Sequence, residues 1–206
     1  IGESCGIQIK YASYETNHWN GIFSSDSEYL SLINLARVKQ ISPIEQFDLN
    51  EHLSKIERDK LEAIEAEIKN YKKVYGLIDF TDMIQKFLDK EVTPNFDVIF
   101  VDEAQDLSLI QWSMINKIEK DTGCDVWVAG DDDQAIFGWA GADVDSFINY
   151  DAKEIPLTKS ERVPSSIQEI ALNVINRIEE NRIDKEYFPK SESGQIYERY
   201  KLSDID

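Results

Sequence analysis

Two stretches of sequence decide the fold: FDVIFVDEAQD at Phe96–Asp106 and VWVAGDDDQAIFGWAGAD at Val126–Asp143. Each begins with a short, continuous apolar run, which is typical of a strand buried on both faces of a parallel sheet. Each run ends in carboxylates and glutamines. Because ligands bind beyond the carboxyl ends of the strands in an open α/β sheet, these polar residues are expected to share one site.

Three side chains at these strand ends suit nucleotide hydrolysis. Asp102 directly follows the first strand, and Mg²⁺ is commonly held by one or two carboxylates together with water and phosphate oxygens. Glu103 can accept a proton from an attacking water, and Gln134 can orient that water or sense the terminal phosphate. The alternative for Asp102 and Glu103 is that they cap a helix beginning near Ser108, since acidic side chains favour helix N-termini.

Four segments resemble motifs of the UvrD/Rep-type helicases of superfamily 1, which are DNA motors driven by ATP. VDEAQD resembles the Walker B motif of this family, and Gly130–Ala142 resembles its next motif, GDxxQxIYxWRGA. LTKSERVPSSI at Leu157–Ile167 resembles the stretch that opens the second motor domain. GLIDFTDMI at Gly76–Ile84 resembles a segment upstream of the Walker B strand. The resemblance is specific because all four occur in the family's order.

The resemblance implies roles for individual residues in an ATP and Mg²⁺ site. Asp102 would hold Mg²⁺, Glu103 would activate water, and Gln134 would link the γ-phosphate to the DNA-binding loop. Arg162 would reach the γ-phosphate from the second motor domain and stabilise transferred charge. The alternative for Arg162 is a surface ion pair with Glu161.

The resemblance also implies a DNA contact. Phe137 and Trp139 would stack on bases of single-stranded DNA, which contributes roughly 1 to 3 kcal/mol per base. The alternative is that both rings are buried in the core of their own loop, since spacing does not reveal exposure. Two departures affect these expectations. Ala140 replaces an arginine that would contact DNA or tie the loop to its neighbours, and Glu161 replaces a tyrosine that would stack on adenine.

Other aspartates are expected to be structural. Asp106 is expected to make a structural hydrogen bond, and Asp132 and Asp133 to be solvated loop charges. A different hypothesis treats the clustered aspartates as a Mg²⁺ nuclease site, which predicts metal-dependent DNA cleavage without ATP.

The P-loop motif GxxxxGK[ST] does not occur, because none of the nine glycines is followed by lysine. The resemblance therefore implies an internal piece of a longer motor, and we expect this piece alone not to turn over ATP. A RecA-like sheet without its P-loop strand exposes an edge and an apolar face, so self-association is expected. The alternative is a catalytically silent helicase-like module for interaction or regulation. A P-loop encoded upstream would favour the truncated enzyme.

The predicted fold class is α/β: a partial RecA-like P-loop NTPase fold, with a parallel sheet and flanking helices, plus an N-terminal helical accessory region. By resemblance, residues 1–76 are the accessory subdomain of the first motor domain. Residues 77–151 are the distal half of RecA-like domain 1, and residues 152–206 begin RecA-like domain 2. Periodicity and capping predict helices at about 26–39, 50–75, 79–89, 108–120, 144–150 and 165–180, and strands at 97–102, 125–130 and 154–157.

Composition limits the function further. The net charge is −18, and residues 97–151 hold thirteen acidic residues but only Lys117 and Lys120 as cations. DNA binding usually draws on a basic surface, and the chain shows no basic stripe. Part of the acidic charge would belong to the metal site, and the remainder indicates either an acidic solvent face or DNA contacts made mainly by other segments. No stretch is apolar enough for a membrane span, so we expect a cytoplasmic protein without a membrane partner. Isolated cysteines and histidines indicate neither disulfides nor zinc.

Overall fold

A computed structural model describes residues 28–50, 56–178, 180 and 182–197 of the chain. These residues form helices and short parallel sheets, an α/β arrangement compatible with a partial RecA-like fold. The helices are α1 (Glu28–Val38), α2 (Pro43–Asp48), α3 (Arg58–Tyr75), α4 (Phe80–Leu88), α5 (Leu109–Thr122), α6 (Val144–Ile148) and α7 (Ser165–Ile175). The strands are β1 (Val98–Val101), β2 (Asp125–Val128), β3 (Lys159–Pro164) and β4 (Phe188–Lys190).

Helices α1, α2 and α3 share an apolar core. Leu32 and Ile33 of α1 belong to one buried cluster with Leu61 and Ile64 of α3. The predicted end of α3 is confirmed, since Gly76 caps it with a left-handed backbone of φ 64°. Its predicted start near residue 50 is wrong. Residues 51–55 lie outside the described part, but the extended backbone immediately before Arg58 begins the helix there.

The strands β1 and β2 are parallel neighbours, with Val98 opposite Asp125 and Val101 opposite Val128. Helix α5 connects them, which confirms the predicted strand-helix-strand unit. The predicted burial on both faces is wrong for the described residues. Phe100 is 78% exposed and Trp127 is 55% exposed, with ring centroids 6.4 Å apart.

Phe100 and Trp127 are exposed because the described elements cover only one face of the two strands. The alternate strand residues, among them Val101, Val126 and Val128, pack on a buried cluster that includes Trp112 of α5. No described element covers the other face in the same way. Trp112 is therefore buried, whereas Trp127 is exposed.

The second sheet differs from its prediction. Residues 153–158 have no regular secondary structure, so the strand predicted at 154–157 is wrong. Leu157 is largely exposed, and the strand begins at Lys159 because its pairing partner is β4. The helix after it ends at Ile175, earlier than predicted. Apolar pattern alone did not locate the partner strand that sets these limits.

A cluster of charges ties the helical region to α4. Arg37 Nη1 lies 2.7 Å from Asp79 Oδ2, and Lys72 Nζ lies 2.8 Å from Asp82 Oδ2. Asp79 also caps α4 by accepting from the backbone of Asp82. Burial alone would raise the pKa of Asp79, but the hydrogen bonds from Arg37 and Lys72 hold it well below its usual range. No described helix is long and apolar enough to cross a membrane.

Candidate active site at the ends of two strands

Two exposed carboxylates follow β1. Asp102 Oδ1 accepts a hydrogen bond from the backbone N–H of Glu103 at 2.9 Å. Glu103 has a left-handed backbone with φ 51°, which costs a non-glycine residue on the order of 1 kcal/mol. Such strain persists only where surrounding contacts fix the turn.

One of those contacts comes from Gln105, which is almost fully buried. Its Nε2 donates to Glu103 Oε2 at 2.8 Å, and its Oε1 accepts from the backbone N–H of Asp131 at 3.1 Å. One side-chain amide therefore joins the ends of β1 and β2. No role for Gln105 was predicted from the sequence. The only available signal was an amide two residues after the candidate base.

Gly130 is required where the two strand ends meet. A Cβ atom at this position would lie 2.7 Å from Gln105 Oε1 and 3.0 Å from the ring of Phe147. Real Cβ atoms essentially never approach so closely. The missing side chain of Gly130 therefore makes room for the amide bridge of Gln105.

The bridge continues into the loop after β2. Gln134 Nε2 donates to Asp131 Oδ2 at 2.7 Å, while Lys185 Nζ lies 2.6 Å from Asp131 Oδ1. Burial alone would raise the pKa of Asp131, but the hydrogen bonds from Lys185 and Gln134 bring it below its ordinary value. An unbroken hydrogen-bonded path thus runs from Glu103 through Gln105 and Asp131 to Gln134, so the structure brings both strand ends together.

Asp132 and Asp133 are not solvated loop charges, contrary to prediction. The Asp132 side chain is 2% exposed and lies 2.5 Å from Lys185 Nζ. Arg182 Nε lies 2.6 Å from Asp133 Oδ1. The cations come from about fifty positions further along the chain, so local sequence could not reveal them.

Two further expectations are tested by the structure: that Asp102 and Glu103 cap α5, and that Asp106 makes a structural hydrogen bond. The start of α5 is stabilised by Gln111 Oε1, which accepts from the backbone N–H of Ser108, so Asp102 and Glu103 do not cap it. Asp106 Oδ1 is buried and has no hydrogen-bond partner in the described part of the chain, contrary to the predicted structural bond. Burial, together with the charge of Glu103, raises the pKa of Asp106.

The aromatic loop that follows is open to solvent. Phe137 is 40% exposed and Trp139 is 55% exposed, with ring centroids 6.3 Å apart, so the rings are not buried in a core of their own. Gly141 has φ 98°, and a Cβ there would lie 2.5 Å from Val38 Cγ2. This close approach anchors the loop against α1 while both rings remain accessible.

Residues 7–155 match the UvrD/REP helicase N-terminal domain. The chain belongs to the UvrD/Rep helicase family. It is 33% identical over 142 residues to DNA helicase II of Escherichia coli, covering 61% of this chain and 19% of that protein. It is 28% identical over 153 residues to the ATP-dependent DNA helicase PcrA of Leuconostoc citreum, covering 68% of this chain and 20% of that protein. The chain thus spans about a fifth of the length of these relatives.

Arg162 belongs to a different sheet from the two strand ends. It lies on β3, its backbone N–H donates to Ser160 Oγ at 3.2 Å, and the residue is exposed. Glu161 forms its ion pair with Lys159 at 2.8 Å, so the structure does not support the alternative pairing with Arg162. Within the described residues, no hydrogen bond or ion pair joins the Arg162 guanidinium to Glu103 or Gln134.

The donor set fits a magnesium nucleotide better than a metal held by protein alone. Among the described residues, no group of three or more histidine, cysteine, aspartate or glutamate side chains could hold a metal ion. Asp102 is a single exposed carboxylate, which suits Mg²⁺ bound partly by water and phosphate oxygens. Asp131, Asp132 and Asp133 are already paired with Lys185 and Arg182, which argues against the nuclease hypothesis.

Proposed function

We propose that this chain supplies part of the ATP site and the adjacent DNA-contact loop of an ATP-dependent DNA helicase. Its bacterial relatives include proteins named DNA helicase II and PcrA. The observation that carries the proposal is the hydrogen-bonded path from Glu103 to Gln134, since it joins a candidate base to a candidate phosphate sensor. Such an enzyme would work in the cytoplasm.

The proposed domain organisation follows the motif order. Residues 1–76 would belong to the helical accessory subdomain, and residues 77–151 to the distal half of the first RecA-like domain. Residues 152–206 would begin the second RecA-like domain. The nucleotide would then lie between Glu103 on one side and Arg162 on the other, as in motors that close a cleft between two such domains.

The strand-end residues divide the hydrolytic work. Bound Mg²⁺-ATP would supply the bond to be hydrolysed and the metal's positive charge, with Asp102 holding the metal. Glu103 would accept the proton of the attacking water. Its Oε2 is fixed by Gln105, which leaves Oε1 open to act as the base. Arg162 would stabilise charge that develops on the transferred phosphate once the second domain closes.

The same arrangement supports coupling to DNA. Gln134 is held by Asp131 and lies three residues before Phe137, so a shift of the aromatic loop would move the candidate phosphate sensor. The exposed rings of Phe137 and Trp139 suit base stacking. Cycles of ATP hydrolysis would thereby drive movement along single-stranded DNA and separation of the duplex.

Glu103→Gln in the full-length protein tests the hydrolytic role. Loss of the general base should lower the DNA-stimulated ATPase rate by about 100-fold or more, with nucleotide binding retained. Glu91→Gln is the matched control, because Glu91 is an exposed glutamate in a loop outside the strand ends. An ATPase rate of Glu103→Gln near that of the wild type would refute the base assignment.

Phe137→Ala and Trp139→Ala test the DNA contact. Each should weaken binding of an oligothymidine strand by roughly 1 to 3 kcal/mol, measured by fluorescence anisotropy at fixed salt. Ile136→Ala is the control, because Ile136 is a neighbouring exposed side chain without an aromatic face. Equal losses in all three variants would point to loop distortion instead of stacking.

We also propose that the 206-residue chain by itself does not hydrolyse ATP and that it self-associates. It has no glycine followed by lysine to cradle phosphates. Phe100 and Trp127 expose a flat aromatic pair on the sheet. Light scattering at micromolar concentration should detect oligomers, and Phe100→Ser combined with Trp127→Ser should reduce them. A clean wild-type monomer would contradict the self-association.

The second candidate function is a catalytically silent module for interaction or regulation. The observation that favours it is the same exposed pair, Phe100 and Trp127, which would suit a protein partner. The two candidates differ in ATP turnover by the full-length protein. DNA-stimulated hydrolysis that depends on Glu103 supports the helicase, whereas its absence supports the silent module.

A further inference from the structure

A short segment after α7 docks on the loop after β2. Ile183 donates its backbone N–H to Asp132 Oδ2 at 2.8 Å. On one side of it, Arg182 pairs with Asp133, and on the other, Lys185 Nζ lies 2.6 Å from Asp131 Oδ1 and 2.5 Å from Asp132 Oδ1. Each of the three consecutive aspartates therefore has a partner in the segment.

Charge and burial make this docking mutually dependent. Three adjacent carboxylates repel one another, and the Asp132 side chain is only 2% exposed. A buried charge without a partner is costly, so the turn requires a nearby cation to keep its conformation. Burial alone would lower the pKa of Lys185, but the hydrogen bonds to Asp131 and Asp132 raise it above its ordinary value, so the ammonium stays charged at neutral pH.

The link to the candidate phosphate sensor passes through one carboxylate. Asp131 Oδ1 accepts from Lys185, and Asp131 Oδ2 accepts from Gln134 Nε2 at 2.7 Å. The backbone N–H of Gln134 also donates to the carbonyl oxygen of Asp131 at 2.9 Å. Whatever fixes the Asp131 side chain therefore fixes the side chain of Gln134.

We propose that Lys185 is a positioning residue that holds Gln134 in place through Asp131. This inference rests on the proposed function of Gln134 as the sensor that couples ATP to DNA. Lys185 belongs to the part of the chain that follows β3, on which Arg162 lies. Separation of that part from the strand ends would remove the ammonium from Asp131 and release Gln134. Gln134 would then be held in position only while the segment after α7 contacts the loop after β2.

The test uses the full-length protein and its steady-state ATPase with and without single-stranded DNA. Lys185→Met should lower the factor by which DNA stimulates the ATPase about tenfold, equivalent to about 1.4 kcal/mol in the barrier, with KM for ATP unchanged. Lys185→Arg retains the charge and the donors and should recover most of the stimulation. Lys190→Met is the matched control, because Lys190 pairs with exposed Glu192 in the same region.

Hydrogen exchange gives a second readout on the same proteins. The exchange rate of the backbone N–H of Gln134 should rise in Lys185→Met and not in Lys190→Met. If Lys185→Met does not fold, as judged by circular dichroism, Lys185→Gln replaces it, since glutamine keeps donor atoms but loses the charge. A folded variant whose DNA stimulation stays within about twofold of the wild type overturns the positioning role.

The wild-type measurement separates this inference from the proposed function. Absence of DNA-stimulated ATPase in the wild type would refute the helicase proposal and this inference with it. Stimulation in the wild type that survives in Lys185→Met would refute the positioning role alone. If Lys185→Met lowers the ATPase rates with and without DNA by the same factor, Lys185 has only a structural role. That result also overturns the inference.

Discussion

The loops after β1 and β2 look alike in sequence and differ in their electrostatic surroundings. Asp102 and Glu103 after β1 are exposed, and no cation lies in ion-pair range of them among the described residues. Asp131, Asp132 and Asp133 after β2 are met by Lys185 and Arg182. The carboxylates after β1 are therefore available to a ligand, whereas those after β2 are already paired with cations of the protein.

Clustered carboxylates therefore do not all have the same role. A solvated carboxylate at a strand end can accept a proton or hold a metal, since no cation of the described residues forms an ion pair with it. A buried carboxylate already paired with lysine serves as a structural link. Gln105 connects the two kinds of loop, because its amide contacts Glu103 on one side and Asp131 on the other.

The largest expected difference between the loops is in stability. Asp132→Ala should lower the free energy of unfolding of the 206-residue chain by about 2 kcal/mol, because it leaves the N–H of Ile183 without its acceptor and removes a partner of Lys185. Asp102→Ala should change it by less than about 0.5 kcal/mol, since its side chain is exposed. Urea unfolding followed by circular dichroism measures both. Equal losses of stability in the two variants would contradict the expected difference between the loops.

A smaller effect is expected where the two loops touch. Gly130→Ala should destabilise the chain by about 1.5 kcal/mol, because the added methyl group meets Gln105 and Phe147. Gly138→Ala is the control, since a Cβ there meets nothing within 4 Å. The measurement is the urea midpoint at constant slope. Similar urea midpoints for both variants would mean that the Gln105 side chain can move aside without loss of stability.

The pH dependence of stability should have opposite signs in the two loops. The pKa of Asp131 is lowered in the folded state, so its stabilising contribution is present above its ordinary value of 3.8 and is lost as pH falls through the folded value. The pKa of Asp106 is raised, so its destabilising contribution appears as pH rises above 3.8 through the folded value.

Two asparagine variants measure these signs at neutral pH. Asp131→Asn should lower stability, and Asp106→Asn should raise it, each by less than about 1 kcal/mol because both groups are partly solvated. Unfolding at pH 3 should bring each variant closer to the wild type. A gain in stability from Asp131→Asn at neutral pH would contradict the role of its contact with Lys185.

The smallest effect is expected for the ion pair between Lys159 and Glu161. Like the pairs in the loop after β2, it joins a lysine to a carboxylate, but it is exposed. Lys159→Met removes the partner of Glu161, and both side chains are mostly exposed. The expected change is below about 0.5 kcal/mol. A loss comparable with that of Asp132→Ala in urea unfolding would mean that burial does not explain the difference between the loops.

Local pattern predicted much of the secondary structure and part of the candidate site. The parallel pair β1 and β2 follows from two apolar runs that each end in polar residues, and the end of α3 follows from Gly76. The strand predicted at 154–157 was wrong because the observed strand begins at Lys159, opposite Phe188, which lies far along the chain. Strand limits depend on such partners, and spacing does not report them.

Motifs and apolar runs are local properties of the chain, so the family, the parallel strand pair and the candidate residues at the strand ends could be predicted before the fold was known. Which carboxylates form ion pairs follows from the folded arrangement alone. Lys185 and Arg182 reach the loop after β2 from a distant segment. Electrostatic environment is set by distance in space, and position along the chain does not encode it directly.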